Sequence, residues 1–487
     1  MNKSIFLLKV NLRLVSVAVL IMTTIFLSAC NTATPTASTT PPEYAEVTLT
    51  PRPETTPTED TIPTVDVTPT QQISTALMVD PEDLEGISIR FMHPWSGESA
   101  LALEEIATQF SLTNPWGIWV DVQSQGSENL LVETLQSDLE SGDLPGLIAV
   151  HPYALSDLED DYHPVLLTDY INSPEWGIEP DAQADIPSAF LAQFTLEGNL
   201  TALPIAPQAA VLFYNQTWAE ELEISSLPED ARAFRQQSCD ATYANQADNN
   251  VENDGTGGWL INRDPEVLAS WYRAFGGQLP INDPPNFNDE ASREAFGYLK
   301  GVYDEGCIWI GRQSEPYFYF ANRYTLMYAG SLNQIPKQMG WMSVAENEDE
   351  WKAIGFPGPD GRVVLVDSPG LMVSADTPEN QMAAWLFARY LLEPDVQAKL
   401  VQRLFSIPVR SSALAFLEDF ERDYPQWAQT VEMMDAMEVL PISDGWGIAQ
   451  WVLQDAFERV LRSEANQIPN ILEELGRLIN ELEGVTP

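Results

Sequence analysis

Ile87-Ser88-Ile89-Arg90-Phe91-Met92, followed by His93-Pro94-Trp95-Ser96-Gly97 and then by Leu101, Leu103, Ile106, Ala107 and Phe110, is the stretch from which the fold is read. Its first six residues alternate as a strand does, and the apolar residues after the turn recur at helical spacing. Trp119-Val120-Asp121-Val122-Gln123 reads as a second strand and Leu130 to Leu139 as an amphipathic helix. Leu147-Ile148-Ala149-Val150 is a short apolar strand. A β-α-β-α-β series predicts a parallel sheet with helices on its faces, and such sheets bind ligands beyond the carboxyl ends of their strands.

Farther along, Ala209 to Asn215 and Tyr324 to Tyr328 read as strands. Val267 to Phe275, Ala291 to Tyr303, Asp395 to Leu404, Gln450 to Leu461 and Ile468 to Leu482 read as helices. Asn380 to Leu392 is a helix with Thr377 as its cap and Pro378 in its first turn.

The 487 residues can fill two or three domains, and a composition 44% hydrophobic and 10% aromatic supplies their cores. Against 24 Lys and Arg stand 72 Asp and Glu, a formal charge of −48. Such a surface repels phosphate backbones, and no basic run offsets it, so a nucleic-acid partner is excluded. Three histidines (His93, His151, His163) and three cysteines (Cys30, Cys239, Cys307) are a thin supply for zinc or Cys/His catalysis. CxxC, HExxH, GxSxG, GxxxxGK(S/T) and GxGxxG do not occur in the sequence. No cofactor and no metal are expected. The stretch Asp248 to Gly255 spaces acidic and amide residues like a calcium loop, but Ile261 stands where such loops need a bidentate Glu, and it reads as a solvated loop.

Lys3, Lys9 and Arg13 precede an apolar run from Leu14 to Leu27, too short for the roughly 20 residues that span a bilayer. Leu27-Ser28-Ala29-Cys30 resembles the bacterial lipobox. Residues 1–29 are therefore expected to be a signal peptide removed before Cys30, whose acylation (palmitate included) would anchor the protein to the membrane. Residues 30–79 would comprise that lipidated Cys30 and a disordered Thr/Pro-rich tether, since prolines suppress regular hydrogen bonding and apolar content is too low to offset ordering entropy. The two remaining cysteines, Cys239 and Cys307, are expected to form a disulfide in an exported body.

Further stretches, taken in order, resemble the family 1 extracellular solute-binding proteins, the maltose-binding-like receptors of ABC importers. They are the strand–His93-Pro94-Trp95-Ser96-Gly97–helix unit ending in Phe110, Gly142-Asp143-Leu144-Pro145 (where Gly146 replaces the family's Asp), and Leu203-Pro204-Ile205-Ala206-Pro207-Gln208 running into Val211 to Asn215. Gly276-Gly277, Ala384-Trp385-Leu386-Phe387 and Pro408-Val409-Arg410-Ser411 complete the series. The resemblance implies an α/β, two-lobed, periplasmic-binding-protein-like fold with discontinuous lobes joined by crossover strands. Lobe 1 would comprise residues 80–207 and 367–412, and lobe 2 residues 208–366 and 413–487.

A sugar presents apolar CH faces and many hydroxyls, so its receptor needs aromatic platforms and planar polar side chains. Under the resemblance, Trp95 and Ser96 follow the first strand, Ser124 and Gln125 the second, and His151 and Tyr153 the third. Gln208 lies in the first crossover and Ser368 in the second. Asp264, in Asp264-Pro265-Glu266, is either a ligand contact or only the N-cap of the following helix. Ser331 and Asn333 flank Leu332, which replaces a stacking Trp of the family. Trp446, between Gly445 and Gly447, is expected in a loop before a late helix, free to stack.

These features imply a monomeric extracytoplasmic lipoprotein, lipid-anchored to the cell membrane, that carries a sugar or oligosaccharide to an ABC permease and performs no catalysis. The alternatives are the same fold binding a peptide or polyamine, or serving a sensor. An exported glycoside hydrolase would need paired carboxylates, and the strand-end turns carry none. Cys30→Ala is expected to leave the protein unlipidated with its signal uncut; incorporation of labelled fatty acid by that variant would refute the anchor.

Overall fold

The computed structural model describes residues 77–158, 162–281, 283–312 and 315–483. The expected signal peptide, Cys30 and the tether up to residue 76 lie outside the described residues. The chain divides into Met1–Thr70 and Gln71–Pro487, and every described residue belongs to the second unit. Among the described residues no helix is long and apolar enough to cross a membrane.

The amino-terminal unit forms as its periodicity predicts: β1 (Ser88–His93), α1 (Glu98–Thr113), β2 (Trp119–Ser124), α2 (Glu128–Ser141) and β3 (Leu147–Val150). The next elements that position the site are β4 (Leu203–Pro204), β5 (Gln208–Asn215), α3 (Ala231–Ala247), β6 (Gly257–Leu260), α4 (Pro265–Ala274) and α5 (Glu290–Asp304). They are followed by β7 (Ile308–Trp309), β8 (Thr325–Ser331), β9 (Trp351–Ile354), β10 (Leu365–Asp367) and β11 (Gly370–Val373). Last come α6 (Pro378–Leu391), α7 (Pro394–Leu404), α8 (Pro425–Val431), β12 (Glu438–Val439), α9 (Asp444–Arg462) and α10 (Ile468–Glu483).

Helix ends follow local chemistry. Ser127 accepts a hydrogen bond from Leu130 N at the start of α2, and Thr377 accepts one from Asn380 N at the start of α6. Gly142, at φ 72°, closes α2 in the left-handed region that glycine adopts without a Cβ penalty.

The strands named here form two large sheets, and two further sheets of two strands each lie beside them. The first has the order β2-β1-β3-β11-β4, with β1 parallel to β2 and β3, and β11 antiparallel to β3 and β4. The second runs β12-β10-β5-β8-β6-β7, with β9 also pairing β5. Two segments cross between the sheets: Ile205-Ala206-Pro207 joins β4 to β5, and Ser368-Pro369 joins β10 to β11. They run side by side, since Ile205 N donates to Pro369 O at 3.0 Å and Ser368 Oγ donates to Ile205 O at 3.3 Å. The chain crosses again after α7, where Ile407 N donates to Pro207 O at 2.8 Å. Trp427, buried in α8, donates its indole N–H to Ser406 O at 2.8 Å, and Gln426 donates to Trp351 O in β9.

In the second lobe α3 lies directly on β6, and Gly257-Gly258 makes that approach possible. A Cβ at Gly257 (φ +137°) would come 2.3 Å from Thr242 Cα, and one at Gly258 would come 2.5 Å from Ser238 O. Cys239 of α3 and Cys307, just before β7, are disulfide-bonded across this contact, with Cα atoms 4.5 Å apart and a sequence separation of 68.

The late helix differs from expectation. α9 begins at Asp444, so Gly445-Trp446-Gly447 is its first turn and not a loop. Ser443 supplies the cap by accepting from Trp446 N, which outweighs the low helix propensity of two glycines.

Closing a loop of 68 residues removes denatured-state entropy worth about 4 kcal/mol on the chain-entropy scale. Cys239→Ser with Cys307→Ser is therefore expected to lower the unfolding free energy by roughly 2–4 kcal/mol. Urea titration of both proteins measures this.

Candidate ligand-binding cleft

A cavity of about 310 Å³ opens where the crossovers meet the second sheet. Gln208 and Asp367 form its floor and are directly opposed across β5 and β10. Asn262, Asp264 and Glu266 enter from the start of α4, and Ser331, Asn333 and Gln334 from the turn after β8. Gln450 of α9 and Tyr153, from the turn after β3, complete the wall. A second cavity of about 380 Å³ shares Asn262, Asp264 and Gln334 and extends to Glu315, Tyr317 and Arg263.

Of the residues singled out under the resemblance, Tyr153, Gln208, Asp264, Ser331 and Asn333 line this one cavity. Asp264 is not spent on capping: its side chain makes no cap hydrogen bond to α4, and its Oδ2 accepts instead from Asn262 Nδ2 at 2.9 Å. Gln208 Oε1 accepts from Asn333 N at 3.2 Å and its Nε2 donates to Leu404 O at 3.3 Å, linking the turn after β8 to the third crossing. Ser331 Oγ donates to Asn333 Oδ1 at 2.7 Å, while Leu332 between them is buried.

His151 stands just outside the cavity and governs its charge. Its Nδ1 lies 2.9 Å from Glu128 Oε1 and its Nε2 3.3 Å from Asp367 Oδ2. Its ring stacks on Tyr153 at 5.1 Å between centroids and 15° between planes. Burial disfavours the imidazolium, but Asp367 and Glu128 outweigh it and push the pKa up to about 9. Burial works against Glu128 as well, yet hydrogen bonding to His151 holds it below its ordinary range. Asp367 is raised, chiefly by burial. Glu266 is pushed up to about 7 by burial and by the charge of Asp264.

Other expected residues lie elsewhere. Trp95 is half-buried, packed against the larger of the two apolar clusters, with its ring 5.6 Å from that of His93. Ser96 is exposed, Ser124 Oγ donates to Trp95 O, and Gln125 Oε1 accepts from Thr134 Oγ1 at 3.1 Å. None of these lines the cavity. Ser368 is fully buried and serves the crossover described above. Trp446 is 1% exposed and packed in the second lobe's core, so it is not a stacking platform at the cleft. Gly447, one residue on, lets α9 approach Tyr153, where a Cβ would already be 3.4 Å from the Tyr153 Cβ. In the Asp248 to Gly255 loop, Asp248 accepts from Asn250 N and from Asn253 Nδ2.

Glu128, Asn262, Glu266, Gln334, Asp367 and Gln450 were not singled out from sequence. Asn262, Glu266, Gln334 and Asp367 lie within two residues of ones that were (Asp264, Asn333 and Ser368); Glu128 and Gln450 left no local signal.

The family profile described as bacterial extracellular solute-binding protein matches residues 105–433, more than half of the chain. No curated protein matches the sequence. Solved structures similar to this chain include the sugar-binding protein MalE from Xanthomonas citri (19% identity, TM-score 0.68, covering 82% of this chain and 98% of that one). The cyclic alpha-maltosyl-1,6-maltose binding protein from Arthrobacter globiformis is similar at 16% identity and TM-score 0.66, over 81% and 99%. UgpB from Mycobacterium tuberculosis, solved in complex with glycerophosphocholine, is similar at 16% identity and TM-score 0.64, over 82% and 99%.

The titrations have opposite signs. The raised pKa of His151 contributes stability that is complete below 6.5 and lost as pH rises through about 9. Glu266 acts in the same sense at lower pH, between 4.5 and about 7. Burial holds His93 down at about 4, so its contribution is present above 6.5 and is lost as pH falls through about 4. Stability should decline from pH 6.5 to 9 by on the order of 2 kcal/mol through His151. His151→Gln should be less stable than the parent at pH 6 and nearly equal to it at pH 9, as urea unfolding at both pH values will show.

Proposed function

Because this chain belongs to the bacterial extracellular solute-binding proteins, we propose that it captures a sugar or oligosaccharide between its lobes and delivers it to the permease of an ABC importer. The cavity at the crossovers carries this reading. Planar amides from Gln208, Asn262, Asn333, Gln334 and Gln450 converge on one space with the ring of Tyr153, which is the donor, acceptor and stacking set that a polyhydroxylated ring requires. The Xanthomonas citri and Arthrobacter globiformis proteins, with the same fold, bind sugars by their names. No chemistry is required: differential contacts in the closed form would bring the lobes together around the solute, and the closed form would dock on the permease.

The lobes divide at the crossovers in this proposal, residues 80–207 and 367–412 against 208–366 and 413–487. The protein would work outside the cytoplasm as a monomer, held to the membrane by the acylated Cys30.

The test is a thermal-shift screen of the whole chain in detergent against neutral and amino-bearing oligosaccharides, peptides and polyamines. A true ligand at 100 times its dissociation constant should stabilise the fold by about 2.7 kcal/mol. Tyr153→Ala should then weaken that ligand by roughly tenfold or more. A screen in which no saccharide shifts the melting temperature overturns the sugar assignment.

A further inference from the structure

The two cavities adjoin. Asn262, Asp264 and Gln334 line both, so one wall serves each of them. That wall is held in place: Asn262 Oδ1 accepts from Asp264 N at 2.8 Å, and its Nδ2 donates to Asp264 Oδ2 at 2.9 Å and to Ala329 O at 3.2 Å. The larger cavity lies where the parallel strands β6 and β7 run out into Ile261-Asn262 and Ile310-Gly311, the end of a parallel sheet at which ligands bind. Of its charged residues, Arg263 and Glu315 are already paired, with Glu458 and Lys337. On α9, Gln450 lines the smaller cavity and Gln454 the larger. They stand about one helical turn, roughly 5.4 Å, apart along the helix, the scale of one sugar ring.

The same helix carries a second observation. Gly447, Gln450, Trp451 and Gln454 fall within an arc of about 100° around α9. Gly447 abuts Tyr153, and the two glutamines line the cavities, so this arc faces the groove. Trp451 lies at the arc's edge next to the exposed Asp455, and at 80% exposure it is the most exposed aromatic side chain among the described residues. One exposed apolar residue is ordinary; its place at the mouth of a groove short of open rings is not. Tyr328 is fully buried, and Tyr317 is 5% exposed with Lys337 Nζ 4.8 Å from its centroid. Tyr153 is then the one ring lining the smaller cavity, whereas a pyranose has two CH faces to cover.

We propose that the two cavities are successive subsites of one groove with Trp451 as an aromatic platform at its mouth, so that the solute is an oligosaccharide of two or more linked rings and not a monosaccharide. This rests on the reading of the cavity as a sugar site. A single ring would fill one cavity and leave the other hydrated. A linked second ring reaches Gln454 without a second loss of translational freedom. Passing over Trp451, the chain covers an indole face that otherwise stands in water.

The test is calorimetry on the whole chain in detergent with glucose, mannose, galactose and xylose and with the di-, tri- and tetrasaccharides of each, up to about 1 mM, the weak end of specific affinity. In the series that binds, the tightest oligomer should bind at least about tenfold more tightly than its monosaccharide. Trp451→Ala should weaken that oligomer by roughly tenfold or more, and Trp451→Phe, which keeps a ring, by about threefold or less. Because the indole is exposed, neither variant should move the urea midpoint, so lost affinity is distinguished from lost folding. A monosaccharide that binds within tenfold of its oligomers overturns the two-subsite proposal and leaves the sugar reading intact. A smaller loss in Trp451→Ala, or an equal loss in Trp451→Phe, overturns the role of Trp451. Binding of no saccharide overturns the sugar reading and this proposal with it.

Discussion

Hydrogen bonds between the crossover segments are the constraint on which the cleft depends. Ile205 N to Pro369 O, Ser368 Oγ to Ile205 O and Ile407 N to Pro207 O tie three separate passages of chain into one bundle. Prolines at 204, 207, 369 and 408 remove backbone donors from these passages, so few N–H groups remain to satisfy the carbonyls there. A buried carbonyl or amide left unpaired costs about 1–3 kcal/mol, which favours the passages travelling together over splaying apart. Ala206, at φ 50°, accepts a left-handed backbone worth roughly 1–2 kcal/mol of strain in the middle of the first passage. The bundle is thus rigid in its pairing and strained at one point.

Register then carries the constraint to the site. Asp367 is opposite Gln208 where β10 meets β5, and three residues later Gly370 is opposite Val150 where β11 meets β3. One short segment is therefore locked to both sheets at once, and His151, the residue after Val150, comes to face Asp367. Glu128 reaches the other side of the same ring because Ser127 caps α2 at that point and sets the helix's first residue beside the end of β3. The ion triad is a consequence of strand register and one helix cap.

What could be read in the sequence was whatever is encoded locally. The alternation at 87–92, the helical stripe ending in Phe110 and the Thr377-Pro378 start of α6 all appear as read, because each depends on neighbours within a few residues. The helix α3 gave no such signal. It buries Gln237, Ser238, Thr242 and Asn245, so its buried face is largely polar and hydrophobic periodicity does not mark it. Trp446 misled for the opposite reason: two flanking glycines suggest a loop, and the single cap at Ser443 decides otherwise. In the cleft, Gln208 and Asp264 were singled out only through the family resemblance, and both line the cavity, at a strand start and just before a helix. Glu128 and Asp367 were not, since their meeting at His151 exists only after both crossovers have formed.

Two histidines at neighbouring strand ends show how finely the site's charge is set. His93 closes β1 and His151 follows β3, and these strands are paired. His93 is fully buried beside Phe91 and Trp95, with no carboxylate against it, so burial outweighs the opposing backbone hydrogen bond with Trp95 and holds it neutral above about pH 4. His151 pays a comparable burial penalty but has a carboxylate on each ring nitrogen and stays charged up to about 9. The same residue type thus takes opposite charge states in adjoining strands because of the second neighbour each one meets. Removing the imidazolium from the centre would leave Glu128 and Asp367 facing each other across a buried space, a like-charge contact that costs several kcal/mol when desolvated. His151 is therefore what permits an acidic cleft to exist at the crossovers, and its single charge is too small to neutralise the carboxylates gathered around it.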